Sequence, residues 1–215
     1  MERHDVFVTG ATGYIGGALV PALLARGHRV RALIRTGSER KAPAGVHCVQ
    51  GDALDAASYR DSIAPADTFV HLVGTPHPNP AKAAQFRAVD LASIRAAVQA
   101  ATSASVRHFV YVSVAHPAPV MHAFIEVRKQ GEVLINASGI GATILRPWYV
   151  LGPGHRWAHL LQPLYAMARL IPSMRASAER LALLPRQAVI DTLVRSVESP
   201  PDGVRVIEAR EIQRS

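Results

Sequence analysis

The chain alternates between short apolar runs and longer segments whose apolar residues recur every three or four positions. Six runs have the length and composition of buried strands, namely residues 6–8, 30–34, 46–49, 68–73, 108–114 and 142–145. Helical spacing is found in residues 15–26, 89–101, 127–138 and 189–197. Because such strands alternate with helices, the pattern predicts an α/β fold, with a doubly wound parallel sheet covered by helices on both faces.

A length of 215 residues fits one domain with a single hydrophobic core. The alternation is interrupted between residues 152 and 186, where prolines separate apolar and basic residues, at Pro153, Pro163, Pro172 and Pro185. Since proline ends helical turns, we expect residues 1–215 to form one domain with a small C-terminal lobe at about 152–186. An amphipathic helix at a membrane surface over residues 157–175 is the alternative.

Basic residues outnumber acidic ones by 24 to 16, which gives a net charge of +8. No acidic residue lies between Glu132 and Glu179, and a basic stretch of this kind suits an anionic ligand, a nucleic acid or an anionic membrane surface. A general use of arginine for solubility explains the charge as well. The sequence contains no helix-turn-helix, zinc-finger or aromatic-basic RNA motif, so nucleic-acid binding is the least favoured of these functions.

Cys48 is the single cysteine, which excludes a disulfide framework and leaves no cysteine and histidine spacing typical of a metal site. The apolar segment at residues 6–8 is too short for a signal peptide. Residues 108–125 lack charge but contain Pro117 and Pro119, which disfavours a transmembrane helix. We therefore expect a cytoplasmic protein without a metal or a transmembrane segment.

The loop between the first strand and the first helix reads Thr9-Gly10-Ala11-Thr12-Gly13-Tyr14-Ile15-Gly16. In this context Gly10 permits a tight turn, Gly13 allows the backbone to approach a pyrophosphate, and Gly16 allows the helix to pack closely on the strand. Backbone amides at the start of the helix would hold the phosphates. The loop predicts a dinucleotide site whose candidate residues are Thr9, Gly10, Thr12, Gly13, Tyr14, Ile15 and Gly16.

This loop resembles that of the short-chain dehydrogenase/reductase superfamily, in particular its atypical NAD(P)-binding, epimerase-like or NmrA-like members. The resemblance spans nearly residues 5–155 and includes Gly51-Asp52, Val70-His71-Leu72-Val73-Gly74, Tyr111-Val112-Ser113 and Ile144-Leu145-Arg146-Pro147. It implies a Rossmann-type fold. It also implies two groups of cofactor contacts, with the adenine at Asp52, Ala53 and Leu54, and with the pocket lined by Val73, Gly74 and Thr75. A simple turn role after the strand is the alternative for Asp52.

The residue at the end of the second strand bears on the choice between NAD and NADP. NAD enzymes place a carboxylate there to bind the ribose 2′-hydroxyl, whereas this chain has Arg35. A guanidinium can pair with a 2′-phosphate and stack on adenine. Arg35, helped by Arg31 or Arg40, therefore favours NADP as the cofactor, while Glu39 keeps NAD possible.

Catalysis in the family uses a Tyr-x-x-x-Lys pair on a helix and a serine near the preceding strand. Ser113 is the counterpart of the serine, but the tyrosine and lysine positions fall on Phe124 and Arg128. Phenylalanine carries no proton, and Lys129 does not rescue the motif because its partner at the same spacing is Ile125. Arg128 could still bind the ribose hydroxyls, although its high pKa makes it a poor proton relay.

Four other side chains are candidates to replace the tyrosine as the proton donor. His116 is ranked first, before His122, Tyr111 and Tyr149. The candidate catalytic residues are therefore Ser113, Arg128 and His116. After the sixth strand, Arg146 is a candidate ligand for a substrate phosphate or carboxylate, and Trp148, Tyr149 and Trp157 are candidate aromatic walls. A purely structural role for this segment, at the exit from the sheet, is the alternative.

Two functions follow from these residues. The first is an NAD(P)-dependent oxidoreductase or epimerase-like enzyme that prefers NADP and acts on a small, possibly anionic substrate without the usual tyrosine. Water or the substrate would then supply the proton. The second is a non-catalytic NADP(H)-binding redox sensor, or an assembly or regulatory protein, as the loss of the tyrosine suggests.

Overall fold

The structure is a computed structural model, and it describes residues 3–153, 176–177 and 179–214. Most of the predicted lobe at 152–186, including Trp157, lies outside the described residues, so the division into a domain and a lobe stays a prediction. Among the described residues, no helix is both long enough and apolar enough to cross a bilayer.

The described strands and helices alternate as the apolar pattern predicts. The strands are β1 Asp5–Thr9, β2 Arg29–Ile34, β3 His47–Gln50, β4 Thr68–His71, β5 His108–Val112, β6 Gly141–Arg146, β7 Tyr149–Leu151, β8 Leu183–Pro185 and β9 Val204–Glu208. The helices are α1 Gly16–Ala25, α2 Ala83–Gln85, a π-helix over Phe86–Leu91 that continues into α3 Ala92–Ser103, α4 His122–Ser138, α5 Arg186–Glu198 and α6 Ala209–Arg214.

Seven strands form one parallel sheet in the order β3-β2-β1-β4-β5-β6-β9, and β7 pairs with β8 in a separate parallel pair. The chain runs outward from β1 through β2 and β3, then returns to place β4 on the other side of β1. This is the Rossmann-type order, and the reversal leaves a crevice at the carboxyl ends of β1 and β4. The predicted fold class is confirmed.

Two apolar layers hold the helices on the sheet. On one face, α1 and α5 pack against aliphatic side chains of the central strands, with Leu23 and Leu193 fully buried. On the other face, α3 covers an aromatic layer in which the rings of Phe69 and Phe109 stack with centroids 5.1 Å apart. Each buried ring of this size contributes about 2 kcal/mol or more to folding.

Several element boundaries differ from those predicted. Strands β4 and β5 end at His71 and Val112, earlier than the apolar runs suggest, because the chain turns toward the crevice there. The helical segment predicted at residues 89–101 begins earlier and includes the π-helix. The sequence pattern also missed β7, β8 and β9. The residues of β9 from Val204 to Val206 are exposed at the sheet edge and lack a continuous apolar run.

Candidate active site

A cleft of about 340 Å³ opens at the carboxyl ends of β1, β4 and β5. The glycine loop forms one end, and α4 forms the other with Phe124 and Arg128. The remaining wall is formed at the carboxyl ends of β4, β5 and β6 and by the segments that follow them. Its lining residues are Leu72, Gly74, Thr75, Pro76, His77, Pro78, Val112, Ser113, Val114, Pro147, Trp148, Tyr149 and Val150. The crevice expected from the strand order is therefore a continuous cleft.

The glycine loop has the shape that its spacing predicts. Gly10 has a φ of +77°, and a Cβ there would lie 2.7 Å from the carbonyl carbon of Leu72. A Cβ on Gly16 would collide with the carbonyl oxygen of Gly10. The start of α1 has no side-chain cap and no acidic residue in its first turn, so its positive end is available to an anion. Glycine at these two positions is therefore required for the close packing of the loop on Leu72 and of α1 on the loop, and the uncapped start of α1 suits a bound pyrophosphate.

The cofactor candidates separate into two groups. Those that line the cleft are Gly10, Gly13, Tyr14, Ile15, Gly16, Gly74 and Thr75. The others, which are not among the lining residues, are Thr9, Thr12, Val73, Arg35, Asp52, Ala53 and Leu54. Thr9 is buried and its Oγ1 lies 2.9 Å from Nδ1 of His71, so its side chain supports the loop from behind.

The candidates for adenine and the 2′-phosphate lie together beyond the glycine loop. Arg35 follows β2 and Asp52 follows β3, and these adjacent parallel strands end side by side. Arg35 is exposed, and within the described residues its side chain has no ion pair or hydrogen bond. Asp52 accepts a hydrogen bond from the Leu54 amide at 2.9 Å, which is the turn role considered as its alternative.

The suggested helpers of Arg35 differ in their surroundings. Arg31 donates to the carbonyl oxygen of Ser62 at 3.2 Å and also to that of Ala64, so its guanidinium is held away from the end of β2. Glu39 accepts from the Gly37 amide at 3.1 Å and is therefore engaged within its own loop. Arg40 is exposed near Arg35 in sequence. The contacts favour Arg35 and Arg40 as the basic pair at this end.

At the other end of the cleft, Phe124 and Arg128 occupy successive turns of α4 and meet. The Arg128 guanidinium carbon lies 5.0 Å from the centroid of the Phe124 ring and 5.7 Å from that of Tyr111. Arg128 is 8% exposed, and its Nη1 donates to the Val112 carbonyl oxygen at 2.9 Å. Its Nε is buried without a partner among the described residues.

The sequence analysis missed Asp90, which is 2% exposed and lies in the π-helix. One carboxylate oxygen accepts from Nη2 of Arg128 at 2.6 Å, and the other accepts from the amide and hydroxyl of Thr75 at 3.0 and 2.6 Å. A sequence signal exists, because Asp90 is the single acidic residue within residues 83–103 and is flanked by Val89 and Leu91. A lone carboxylate on an apolar helix face indicates a buried partner.

Protonation in this cluster is set by burial and by the neighbouring charges. Burial opposes the charge of Arg128, but the contacts with Tyr111 and Asp90 outweigh it, and the pKa of Arg128 is raised above its ordinary value. Burial also raises the pKa of Tyr111, against the opposing effect of Arg128. Tyr111 is 1% exposed and does not line the cleft, so it is poorly suited to the role of substitute acid.

Arg146 makes ion pairs on both sides. Its Nε donates to Oε1 of Glu132 at 3.0 Å, and its Nη1 donates to Oε1 of Glu208 at 2.9 Å. Ser113, which lines the cleft, donates from its hydroxyl to the same Glu132 at 2.6 Å. Arg146 is not among the lining residues, and its contacts favour the structural alternative over binding of a substrate anion. Trp148 and Tyr149 do line the cleft.

His116 lies outside the cleft. Its Nδ1 is 3.0 Å from the carbonyl oxygen of Val114, and its ring lines a different depression with Glu179, Arg180, Glu208 and Arg210. His122 is exposed at the start of α4. Among the substitute acids, Tyr149 is the one that shares the cleft with Ser113. Within the described residues, no group of three or more metal-ligating side chains is found.

Comparisons with known proteins agree with this geometry. A family model described as NAD(P)H-binding matches residues 10–159. The ceramide reductase of Caulobacter vibrioides is 29% identical over 99% of this chain and 66% of its own length. The 3-diazoavenalumate denitrifying reductase of a Streptomyces species is 29% identical over 92% of this chain and 73% of its own length. The chain thus spans about two-thirds to three-quarters of these relatives.

Solved structures share the fold at lower identity. The Bordetella bronchiseptica enzyme WbmH in complex with NAD⁺ superimposes with a TM-score of 0.71 over 96% of this chain and 76% of that one, at 20% identity. This likeness concerns the fold. The family model covers well over half of the sequence, and the chain therefore belongs to the NAD(P)H-binding family.

Proposed function

We propose that this protein is an NADP(H)-dependent reductase that works without the usual catalytic tyrosine. The observation that carries the proposal is the continuous cleft, which runs from the phosphate-binding loop to Phe124 and Arg128. At the cofactor's other end, the exposed Arg35 has no ion pair or hydrogen bond from its side chain within the described residues.

The residues fit each part of the cofactor. The glycine loop and the start of α1 would hold the pyrophosphate, and Arg35 with Arg40 would pair with the 2′-phosphate. Ser113 and Arg128 would flank the nicotinamide end, since both line the cleft. When bound, the reduced cofactor supplies a hydride.

The cleft residues would orient the substrate, but they offer limited proton donation. Phe124 has no proton to give, and the Ser113 hydroxyl is directed to Glu132. We propose that water or the substrate itself supplies the proton, with Tyr149 as the protein alternative because it lines the cleft. Hydride transfer to an acceptor that is protonated from solvent requires no acidic side chain.

The substrate class follows from the wall opposite the glycine loop. Phe124, Trp148, Tyr149 and Val150 present mainly carbon surface, and within the described residues no carboxylate lines the cleft. With Arg146 held by two glutamates, the support for an anionic substrate is reduced. We propose a small substrate with an apolar or aromatic body.

The first experiment is a calorimetric titration of the protein with NADPH and NADH, repeated with Arg35→Asp. We expect the wild type to bind NADPH more tightly than NADH. Arg35→Asp should lower the affinity for NADPH by roughly tenfold or more, because one charge-assisted pair is lost. The variant should not weaken the affinity for NADH, since NADH lacks the 2′-phosphate and its ribose 2′-hydroxyl can donate to a carboxylate at this position.

Arg107→Asp is the matched control, because Arg107 is exposed beside the amino end of β5, whereas the cleft lies at the carboxyl ends of the strands, and the charge change is the same. It should alter neither affinity. Failure of both nucleotides to bind at millimolar concentration would contradict the cofactor site. Equal loss of NADPH and NADH affinity in Arg35→Asp would contradict the 2′-phosphate assignment alone.

A non-catalytic NADP(H)-binding sensor or assembly protein is the second candidate. It is favoured by the residues at the tyrosine and lysine positions. Phe124 stands at the tyrosine position, and its ring packs on Arg128, which is held by Asp90. The two functions are separated by incubating the protein with NADPH and a series of apolar carbonyl and quinone compounds. Oxidation of NADPH supports the reductase, whereas tight binding without turnover supports the sensor.

A further inference from the structure

One charged side chain dominates the nicotinamide end of the cleft. Within the described residues, Arg128 and His77 are the basic groups that line the cleft, and His77 is exposed near its mouth. Arg128 is instead 8% exposed and lies under the Phe124 ring. A buried positive charge acts more strongly on its neighbours than an exposed one, because less water screens it.

The carboxylate of Asp90 compensates the positive charge of Arg128 from a position that does not line the cleft. Its carboxylate oxygen lies 2.6 Å from Nη2 of Arg128, and the residue is 2% exposed and not among the lining residues. The two hydrogen bonds from Thr75 fix the carboxylate in place. The ion pair of Arg128 and Asp90 therefore carries no net charge, and the cleft does not face an uncompensated positive charge.

Stability alone gives a poor account of this arrangement. A buried ion pair adds little to folding in comparison with apolar side chains of similar size. Asp90 also occupies a π-helix over Phe86–Leu91, a distortion that is rare in helices and frequent at functional sites. A role in the chemistry of the cleft accounts for both features.

The two redox states of the cofactor differ in charge where Arg128 acts. The oxidised nicotinamide ring carries a positive charge, and the reduced ring carries none. We infer that Asp90 is a positioning residue that offsets the charge of Arg128 and so allows the cleft to hold NADP⁺ nearly as well as NADPH. This inference rests on the proposed binding of NADP(H) in the cleft, and it assigns to Asp90 control over the preference between redox states.

The experiment compares the Kd of NADP⁺ with the Kd of NADPH in the wild type and in Asp90→Asn, by calorimetry at pH 8.5. The asparagine keeps the size of the side chain and an acceptor oxygen but removes the charge. We expect the ratio of the NADP⁺ Kd to the NADPH Kd to rise by roughly tenfold, because the uncompensated Arg128 repels the oxidised ring.

Two controls separate charge from structure. Asp61→Asn makes the same change of net charge at an exposed carboxylate outside the cleft and should leave the ratio unchanged. The double variant Asp90→Asn/Arg128→Gln removes both charges and should return the ratio to the wild-type value, even where both affinities are lower. If the role of Asp90 is purely structural, Asp90→Asn and the double variant should each lower the affinities for NADP⁺ and NADPH by the same factor, so that the ratio of the two Kd values stays at the wild-type value.

Arg128→Gln keeps the test decisive if Asp90→Asn does not fold. At pH 8.5 the carboxylate left behind should attract the oxidised ring, so the ratio should fall below that of the wild type. An unchanged or increased ratio would overturn the inference. If the wild type binds neither nucleotide, the proposed function fails. If the wild type binds both nucleotides and Asp90→Asn lowers the two affinities by the same factor, the inference about Asp90 is refuted and the proposed function stands.

Discussion

Gly74 shows how closely the cleft wall is packed around the buried ion pair. A Cβ at this position would collide with Nη2 of Arg128 and would lie 3.2 Å from Oδ1 of Asp90. The added methyl group therefore has to separate the ion pair or displace the end of β4. We expect Gly74→Ala to lower the free energy of unfolding by about 1–3 kcal/mol, as overpacking of a rigid site does, and to weaken NADPH binding.

Gly17→Ala is the matched control for urea denaturation. Gly17 lies in the first turn of α1, and a Cβ there meets no atom within 4 Å. Alanine is the better helix former, so this variant should be as stable as the wild type or more stable, by up to about 1 kcal/mol. A loss of stability in Gly17→Ala equal to that in Gly74→Ala would show that the packing argument is wrong.

At the scale of elements, Arg146 connects three parts of the sheet layer. It leaves β6 between Glu132 of α4 and Glu208 of β9. Removing the guanidinium leaves Glu132, which is 7% exposed, as a buried carboxylate without its cation. We expect Arg146→Met to lower the free energy of unfolding by about 3 kcal/mol in urea denaturation, the effect of breaking a buried ion pair from one side.

The double variant Arg146→Met/Glu132→Gln should be more stable than Arg146→Met alone. Its neutral glutamine avoids the unpaired charge and can still accept from the Ser113 hydroxyl. NADPH affinity should remain close to that of the wild type in both variants, since Arg146 does not line the cleft. A stable Arg146→Met protein would show instead that the guanidinium is dispensable to the fold.

The elements that the sequence predicts are those whose pattern is local. The loop from Thr9 to Gly16 and the helix that follows depend on near neighbours, so spacing was sufficient to predict them. Strand β9 could not be recognised because its side chains are exposed at the edge, where burial imposes no apolar run. The π-helix contains Asp90, and the contact of Asp90 with Arg128 joins residues 38 positions apart, which local spacing does not encode.

The candidate site divides in the same way. The Tyr-x-x-x-Lys register singles out Phe124 and Arg128, and both side chains line the same cleft as the glycine loop. The partners of charged side chains could not be predicted, because Arg146 and Arg31 make their bonds to residues that approach only in the folded chain. Residue type indicates that an arginine can bind an anion, but the fold decides whether an internal acceptor already occupies it.

At the scale of the whole molecule, the buried histidines make stability depend on pH. His71 is completely buried on β4, with Nδ1 2.9 Å from Oγ1 of Thr9 and Nε2 3.3 Å from Oγ of Ser93. Burial, assisted by the charge of Arg128, lowers the pKa of His71 to about 3. Burial also lowers the pKa of His108 to about 4.

The sign follows from proton uptake. Between pH 6.5, the ordinary pKa of histidine, and these lowered values, the unfolded chain binds protons that the folded protein does not. Stability should therefore be fully present above pH 6.5 and should decrease as the pH falls. Each histidine should contribute a loss of about 2 kcal/mol at pH 5, measured as the free energy of unfolding in urea at pH 5, 6 and 7.

Two variants of the His71 cluster test whether this residue is the source of the effect. His71→Asn should be less stable at pH 7 but should lose about 2 kcal/mol less than the wild type between pH 7 and pH 5, because one titrating group is gone. Ser93→Ala breaks a hydrogen bond to the same ring while keeping the imidazole, so it should be destabilised yet retain the wild-type dependence on pH. Since His71 connects β1, β4 and α3 through Thr9 and Ser93, protonation there should open the sheet and the glycine loop together. An equally steep pH dependence in His71→Asn and in the wild type would assign the acid sensitivity to other groups.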